Sequence, residues 1–82
     1  MKELLEYIAK ALVDNPDEVS VTVHEGVTGR DGSPETLFEL RVAQGDMGKV
    51  IGRGGRIAKE IRILMRAAAA RKGQRISVDI VD

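Results

Sequence analysis

The run from Ile57 to Lys72 carries the strongest helical pattern in the chain, and it dictates what the remaining residues must supply. On a wheel of about 100° per residue starting at Arg56, residues Ile57, Ile61, Leu64, Met65 and Ala68 fall within roughly 80–180°. Arg56, Lys59, Arg62 and Arg66 fall within roughly 240–360° on the same wheel. One face is apolar and needs a surface to cover it. Three stretches of period-two alternation offer that surface: Val19, Val21 and Val23; Phe38, Leu40 and Val42; Ile76, Val78 and Ile80. A further amphipathic helix is expected over 3–14, with Leu4, Leu5, Ile8, Leu12 and Val13 on one side, and Asn15-Pro16-Asp17 stops it.

The expected order is α-β-β-α-α-β within a single domain over 1–82. Its elements are a helix at 3–14, strands at 19–25 and 36–43, a short helix at 46–51, a glycine loop at 52–55, a helix at 56–72 and a strand at 75–81. This is an α+β fold, a three-stranded antiparallel or mixed sheet with helices packed on one face. Gly26 to Pro34 is expected to be a flexible loop, and Tyr7 to cover the edge of the core. A chain of 82 residues buries only about 60–65% of the surface its unfolded form exposes, so the core is thin.

Composition removes whole classes of chemistry. There is no cysteine, hence no disulfide, thiolate metal site or thiol nucleophile, and the single histidine, His24, builds no metal site alone. No metal or cofactor is expected. Apolar runs fall far short of a membrane span, and the acids in Met1-Lys2-Glu3-Leu4-Leu5-Glu6 do not suit a secretory signal, so a cytoplasmic protein without membrane attachment is expected. The net charge of zero conceals an asymmetry: residues 1–40 hold three bases against nine acids, and residues 41–82 hold ten bases against four. From Lys49 to Arg75 there are nine bases and one acid, Glu60, the sign of a polyanion-binding surface.

That surface begins at Val50-Ile51-Gly52-Arg53-Gly54-Gly55-Arg56-Ile57. The glycines let backbone approach another molecule closely, and the loop leads into a helix N-terminus, where amides and the helix dipole favour a phosphate. A nucleotide P-loop is excluded because no glycine precedes Lys-Ser or Lys-Thr. The dinucleotide fingerprint fails as well, since its third glycine would have to stand at Ile57. Catalysis is not expected: Asp46 and Glu60 have no histidine, cysteine or serine beside them, so Asp46 is assigned as a cap of the short helix and Glu60 as a surface partner of a base.

Helix, G-x-x-G, helix, flanked by Val50-Ile51 and by Arg56-Ile57-Ala58-Lys59-Glu60-Ile61, resembles the KH domain, whose loop clamps about four nucleotides. The element order is similar to the type II, bacterial-style KH fold over the whole chain. The opening helix and the Val13-Asp14-Asn15-Pro16-Asp17 turn narrow the likeness to the small bacterial KhpA-type RNA-binding family. That resemblance implies cytoplasmic single-stranded RNA binding without catalysis or a small-molecule substrate. It also implies a role as post-transcriptional regulator or RNA chaperone in gene expression, cell shape and cell-wall biogenesis. Its implied partners are a second copy (a homodimer) and a larger Jag-type KH protein (a heterodimer).

The residues assigned to RNA are Lys49, Ile51, Gly52, Arg53, Gly54, Gly55, Arg56 and Lys59. Arg62, Arg66 and Arg71 are assigned to long-range attraction, with a solvated helix face as the alternative. Ile63 projects at roughly 340° on the wheel, among the bases, where an isolated monomer gains nothing from it; either a neighbouring loop covers it or it makes a contact between chains, and a dimer contact is the favoured assignment. Two aromatics, Tyr7 and Phe38, are too few for base-stacking platforms, so binding through an aliphatic groove is expected. The alternative function is a KH-shaped protein-interaction module that dimerises or binds a larger KH partner through the long basic helix.

Overall fold

A computed structural model describes residues 1–82. The chain forms α1 (Lys2–Leu12), β1 (Ser20–Thr28), β2 (Pro34–Arg41), α2 (Met47–Ile51), α3 (Arg56–Arg71) and β3 (Ile76–Ile80). Single turns of 3₁₀ helix at Pro16–Glu18, Gln44–Asp46 and Arg53–Gly55 join them. The sheet is mixed, in the order β1-β2-β3: β1 and β2 are an antiparallel hairpin, and β3 runs parallel to β2 after the crossover through α2 and α3.

All helices lie on one face of this sheet. Val21, Phe38, Leu40, Ile76 and Val78 point from it into the core and meet Leu5 and Ala9 of α1, Val50 of α2, and Ile61, Met65 and Ala69 of α3. Cross-strand partners Val21–Leu40 and Phe38–Val78 put like residues side by side on the covered face. The opposite face is polar, and there Glu39 accepts His24 Nε2 at 2.8 Å.

The hairpin is longer than its sequence pattern suggests. β1 continues to Thr28 because a register shift between His24 and Val27, with Gly26 at φ 72°, absorbs the break in alternation. The connecting loop is therefore only Gly29–Ser33, and β2 starts at Pro34 and ends at Arg41 rather than spanning 36–43. The helix expected at 3–14 stops at Leu12, since Val13 is already extended.

Two apolar assignments need correction. Tyr7 covers no core edge; it stands 73% exposed. Leu64 does not belong to the packed face of α3 and is 56% exposed. The buried residues of α3 are Ala58, Ile61, Met65 and Ala69, centred roughly 50° from the apolar arc of the wheel. Two of these four are alanines, whose small side chains let α3 sit close against its neighbours, and Leu64 rotates out beside Ile63.

Candidate nucleic-acid interface

The glycine loop joins α2 to α3 in four residues. Gly52 N–H donates to the Gly48 carbonyl at 2.9 Å and Gly55 N–H to the Gly52 carbonyl at 3.1 Å, so the connection folds tightly on itself. Gly52, Gly54 and Gly55 all have positive φ. At Gly52, φ 77° with ψ 174° is a conformation essentially restricted to glycine. A Cβ there would also lie 2.6 Å from Ile57 Cγ1 and 2.9 Å from the Ile57 amide. Ile57 thus packs against bare backbone, which clamps the loop to the first turn of α3. Gly54 has open space around it, and Arg53 and Gly54 are exposed at the apex. No side chain caps the start of α3, although the Arg56 amide already donates to the Arg53 carbonyl, and the helix dipole adds to the positive charge of Arg53 and Arg56 there.

The root of the loop is fixed by Asp46. Expected as a helix cap, it makes no capping bond to α2. It is instead 1% exposed, and its carboxylate reaches 32 residues back along the chain. The Asp14 amide donates to it at 3.2 Å, the Asn15 amide at 3.0 Å and Asn15 Nδ2 at 3.1 Å. Lys49 Nζ lies 3.8 Å from the same carboxylate and 3.2 Å from Asp14 Oδ2. Burial pushes the Asp46 pKa up, but the Asn15 side chain, the two amides and Lys49 together outweigh it and hold it below its ordinary 3.8. The chain after α1 is thereby tied to the start of α2.

From the loop, α3 runs antiparallel to β3, and a cleft of about 770 Å³ opens between them. Its walls include Arg62 and Arg66 from α3, Ser77 and Val78 from β3, Arg75 from the α3–β3 turn and Arg30 from the β1–β2 loop. β3 is an edge strand. Thr36 N–H donates to the Arg75 carbonyl and Val81 N–H to the Leu40 carbonyl, so alternation turns the backbone groups of Ile76, Val78 and Ile80 outward. Arg62 Nε donates to the Val78 carbonyl at 3.0 Å, so its role is to line this edge rather than stand free as a distant charge.

The sequence-assigned residues divide accordingly. Gly52, Arg53, Gly54, Gly55 and Arg56 form one basic apex, exposed at Arg53, Gly54 and Arg56 and half-buried at Gly52 and Gly55, with Lys59 one turn along α3. Ile51 is half-buried beneath it and packs against the core. Lys49 is on the same side but is engaged by Asp14 and Asp46. Glu60 pairs with no base, contrary to expectation, although Arg56 and Leu64 flank it at helical spacing. Ile63, at 55% exposure, forms with Leu64 an uncovered apolar patch on α3. Arg30 and Arg75 were missed by sequence reasoning. Each lies in a turn, and only the pairing of β2 with β3 brings them to the same cleft.

Known proteins provide the frame for this geometry. A family model described as "KhpA/KhpB, KH domain" matches residues 2–80. The chain is 49% identical over 80 residues to the RNA-binding protein KhpA of Borreliella burgdorferi, spanning 98% of this chain and 90% of that one. It is 53% identical over 81 residues to the RNA-binding protein KhpA of Clostridium acetobutylicum, spanning 99% and 100% of the two chains. A crystal structure of Era from Aquifex aeolicus superposes with a TM-score of 0.70 at 20% identity, covering 96% of this chain and 28% of that one. That likeness is one of fold.

Proposed function

The chain belongs to the KhpA/KhpB family of KH domains, and from that premise we propose that it is a non-catalytic, single-stranded RNA-binding protein that grips the strand through the Gly52–Gly55 loop. The observation that carries this reading is the loop itself. Three positive-φ glycines, one of them closed against Ile57, present Arg53 and Arg56 at the start of α3, and Arg62 and Arg66 follow farther along the same helix. Phosphates meet the apex first, with Lys59 next along the helix. Ile51 and Ile57 supply the aliphatic floor near the loop. Lys49 contributes charge at the root while it holds the two aspartates. With few phosphates contacted, a single domain binds modestly and weakens with salt. The family points to post-transcriptional regulation or RNA chaperoning in the bacterial cytoplasm, connected with cell shape and wall growth.

Fluorescence anisotropy with labelled single-stranded RNA, at low and moderate salt, tests the clamp on the native chain and on Arg53→Asp/Gly54→Asp. Gly54 has room for a side chain, and aspartate tolerates positive φ, so the variant is expected to keep its fold, which circular dichroism checks. Binding is expected to fall with salt and to vanish in the folded variant. Equal binding by both chains overturns the clamp.

The exposed Ile63–Leu64 pair favours a second, compatible reading, in which α3 also meets another chain, either a second copy or a larger Jag-type KH protein. Sedimentation of Ile63→Glu alongside the native chain reads self-association. A native mass already that of a monomer, or one unchanged by the substitution, removes the homodimer.

A further inference from the structure

The sheet has a second open edge, along β1. At the β3 edge Arg62 engages the Val78 carbonyl, whereas β1 is left bare. Toward β3, β2 uses the backbone groups of Thr36 and Leu40, so alternation turns those of Leu37 and Glu39 toward β1. Their partners there are His24 and Thr22, which leaves the N–H and C=O groups of Val21 and Val23 facing outward. No hydrogen bond from outside the sheet reaches them. Protein edges are usually blunted by lysine, by proline or by a bulge. β1 has neither lysine nor proline, and its bulge comes only at Glu25-Gly26. Ser20 to Glu25 is therefore an unguarded edge about 20 Å long, and residues 22–26 are all exposed.

Charge and shape define what fits this edge. Residues 11–29 contain no lysine or arginine. Asp17 and Glu18 stand just before the edge and Glu25 at its far end; all three are exposed, and none is in an ion pair. A second copy pairing edge to edge would set these acids against their own kind. Beside the edge, on the helix side of the sheet, lies a cleft of about 520 Å³. Val23, 38% exposed, and Phe38 form its apolar floor. Its charged side chains balance, with Glu3, Glu25 and Glu35 against Lys2, Lys72 and Arg75. The cleft thus suits an apolar side chain, while the edge itself attracts cations.

We infer that β1 is a docking edge for an extended, lysine- or arginine-bearing segment of another protein. The segment adds as a fourth strand and exchanges backbone hydrogen bonds with Val21 and Val23. Its side chains alternate between the two faces. Apolar ones turn to the helix side, where one enters the cleft over Val23 and Phe38, and basic ones turn to the open face, between Glu18 and Glu25. β2 separates this edge from β3, so the docking stands or falls apart from the RNA reading above.

The probe is a labelled peptide of about eight residues that alternates lysine and valine. Its controls are a glutamate–valine counterpart and a peptide with the same lysines and valines in two blocks. Anisotropy at low salt reads affinity, and amide hydrogen exchange reads the place of binding. The alternating lysine peptide is expected to bind saturably, more tightly than either control, and to slow exchange of the Val21 and Val23 amides at least about tenfold. Val23→Pro removes one outward donor at a position where an edge strand tolerates proline, and should weaken binding about tenfold. Glu18→Lys/Glu25→Lys changes exposed side chains only, so it decides the matter even where the proline chain fails to fold by circular dichroism; a loss of about three- to tenfold is expected. Absence of saturable binding up to about 1 mM peptide overturns the docking edge. Binding that leaves the Val21 and Val23 amides exchanging as in the free chain overturns it too. Equal binding of the glutamate peptide, or no loss in the charge-reversed chain, overturns the basic partner. Protection of those amides in the native chain alone, growing with its own concentration, makes the occupant a second copy and overturns the inference as well.

Discussion

Asp46 and Asp31 each hold a basic residue, Lys49 at the root of the glycine loop and Arg75 beside the hairpin tip, yet their surroundings are opposite. Asp46 is sealed from solvent, and three of its four close partners are donors from the segment after α1, which has nowhere else to go. Removing its carboxylate strands two amides and the Asn15 side chain, and leaves Lys49 with Asp14 alone. Asp31 is open to water, and its local partner Ser33 lies two residues away on the same turn. Burial, rather than the number of bonds, separates a carboxylate that builds the scaffold from one that only pins a surface turn. The glycine loop is accordingly anchored at its root, whereas the hairpin tip is only latched.

The largest expected effect breaks that comparison if it is false. Asp46→Ala should lower the melting temperature by roughly 5–15 °C, since buried donors lose their acceptor in a small domain. Asp31→Ala should shift it by no more than about 3 °C. Calorimetry of the two variants decides it; comparable losses would mean that the hairpin tip is also part of the scaffold.

Acid sharpens the same contrast with a smaller effect. The folded Asp46 carboxyl titrates below its ordinary 3.8, so the native state binds the proton more weakly than the unfolded state does. Its contribution is fully present above that ordinary value and is lost as pH falls through the folded one. The gap in melting temperature between native and Asp46→Asn chains should hold steady down to about pH 5 and narrow below about pH 4. A gap that persists unchanged at about pH 3 would show that the charge of Asp46 is not what holds the segment after α1.

Much of the framework was legible because it rests on local periodicity. The alternation of Val19-Val21-Val23 and Ile76-Val78-Ile80, and the recurrence of Ile57, Ile61 and Met65, are properties of neighbouring residues. The loop was legible for the same reason, since Gly52, Gly54 and Gly55 with Arg53 and Arg56 are contiguous. What escaped depends on distance in sequence or on packing depth. Asp46 looked like a cap because its true partners, Asp14 and Asn15, stand across α1's exit and are absent from any window around it. The run of β1 to Thr28 was hidden by the bulge at Glu25-Gly26, where alternation fails although pairing resumes. Leu64 lies on the wheel's apolar side, but how far α3 rolls is set by the alanines that face its neighbours.

The parallel pairing of β2 with β3 has a consequence for the order in which the molecule is assembled. Thr36 meets Ile76, and Phe38 meets Val78, across forty positions of chain. The glycine loop, α2 and α3 all lie inside the ring this pairing closes. During synthesis the helices and the loop emerge first and fold by local contacts, but one wall of the cleft arrives only with the last strand. Closing so long a ring costs chain entropy that no local turn offsets, so docking of β3 is the expected slow step of folding. A ligand that touches both walls then binds only closed chains, and stabilises them in proportion to its concentration.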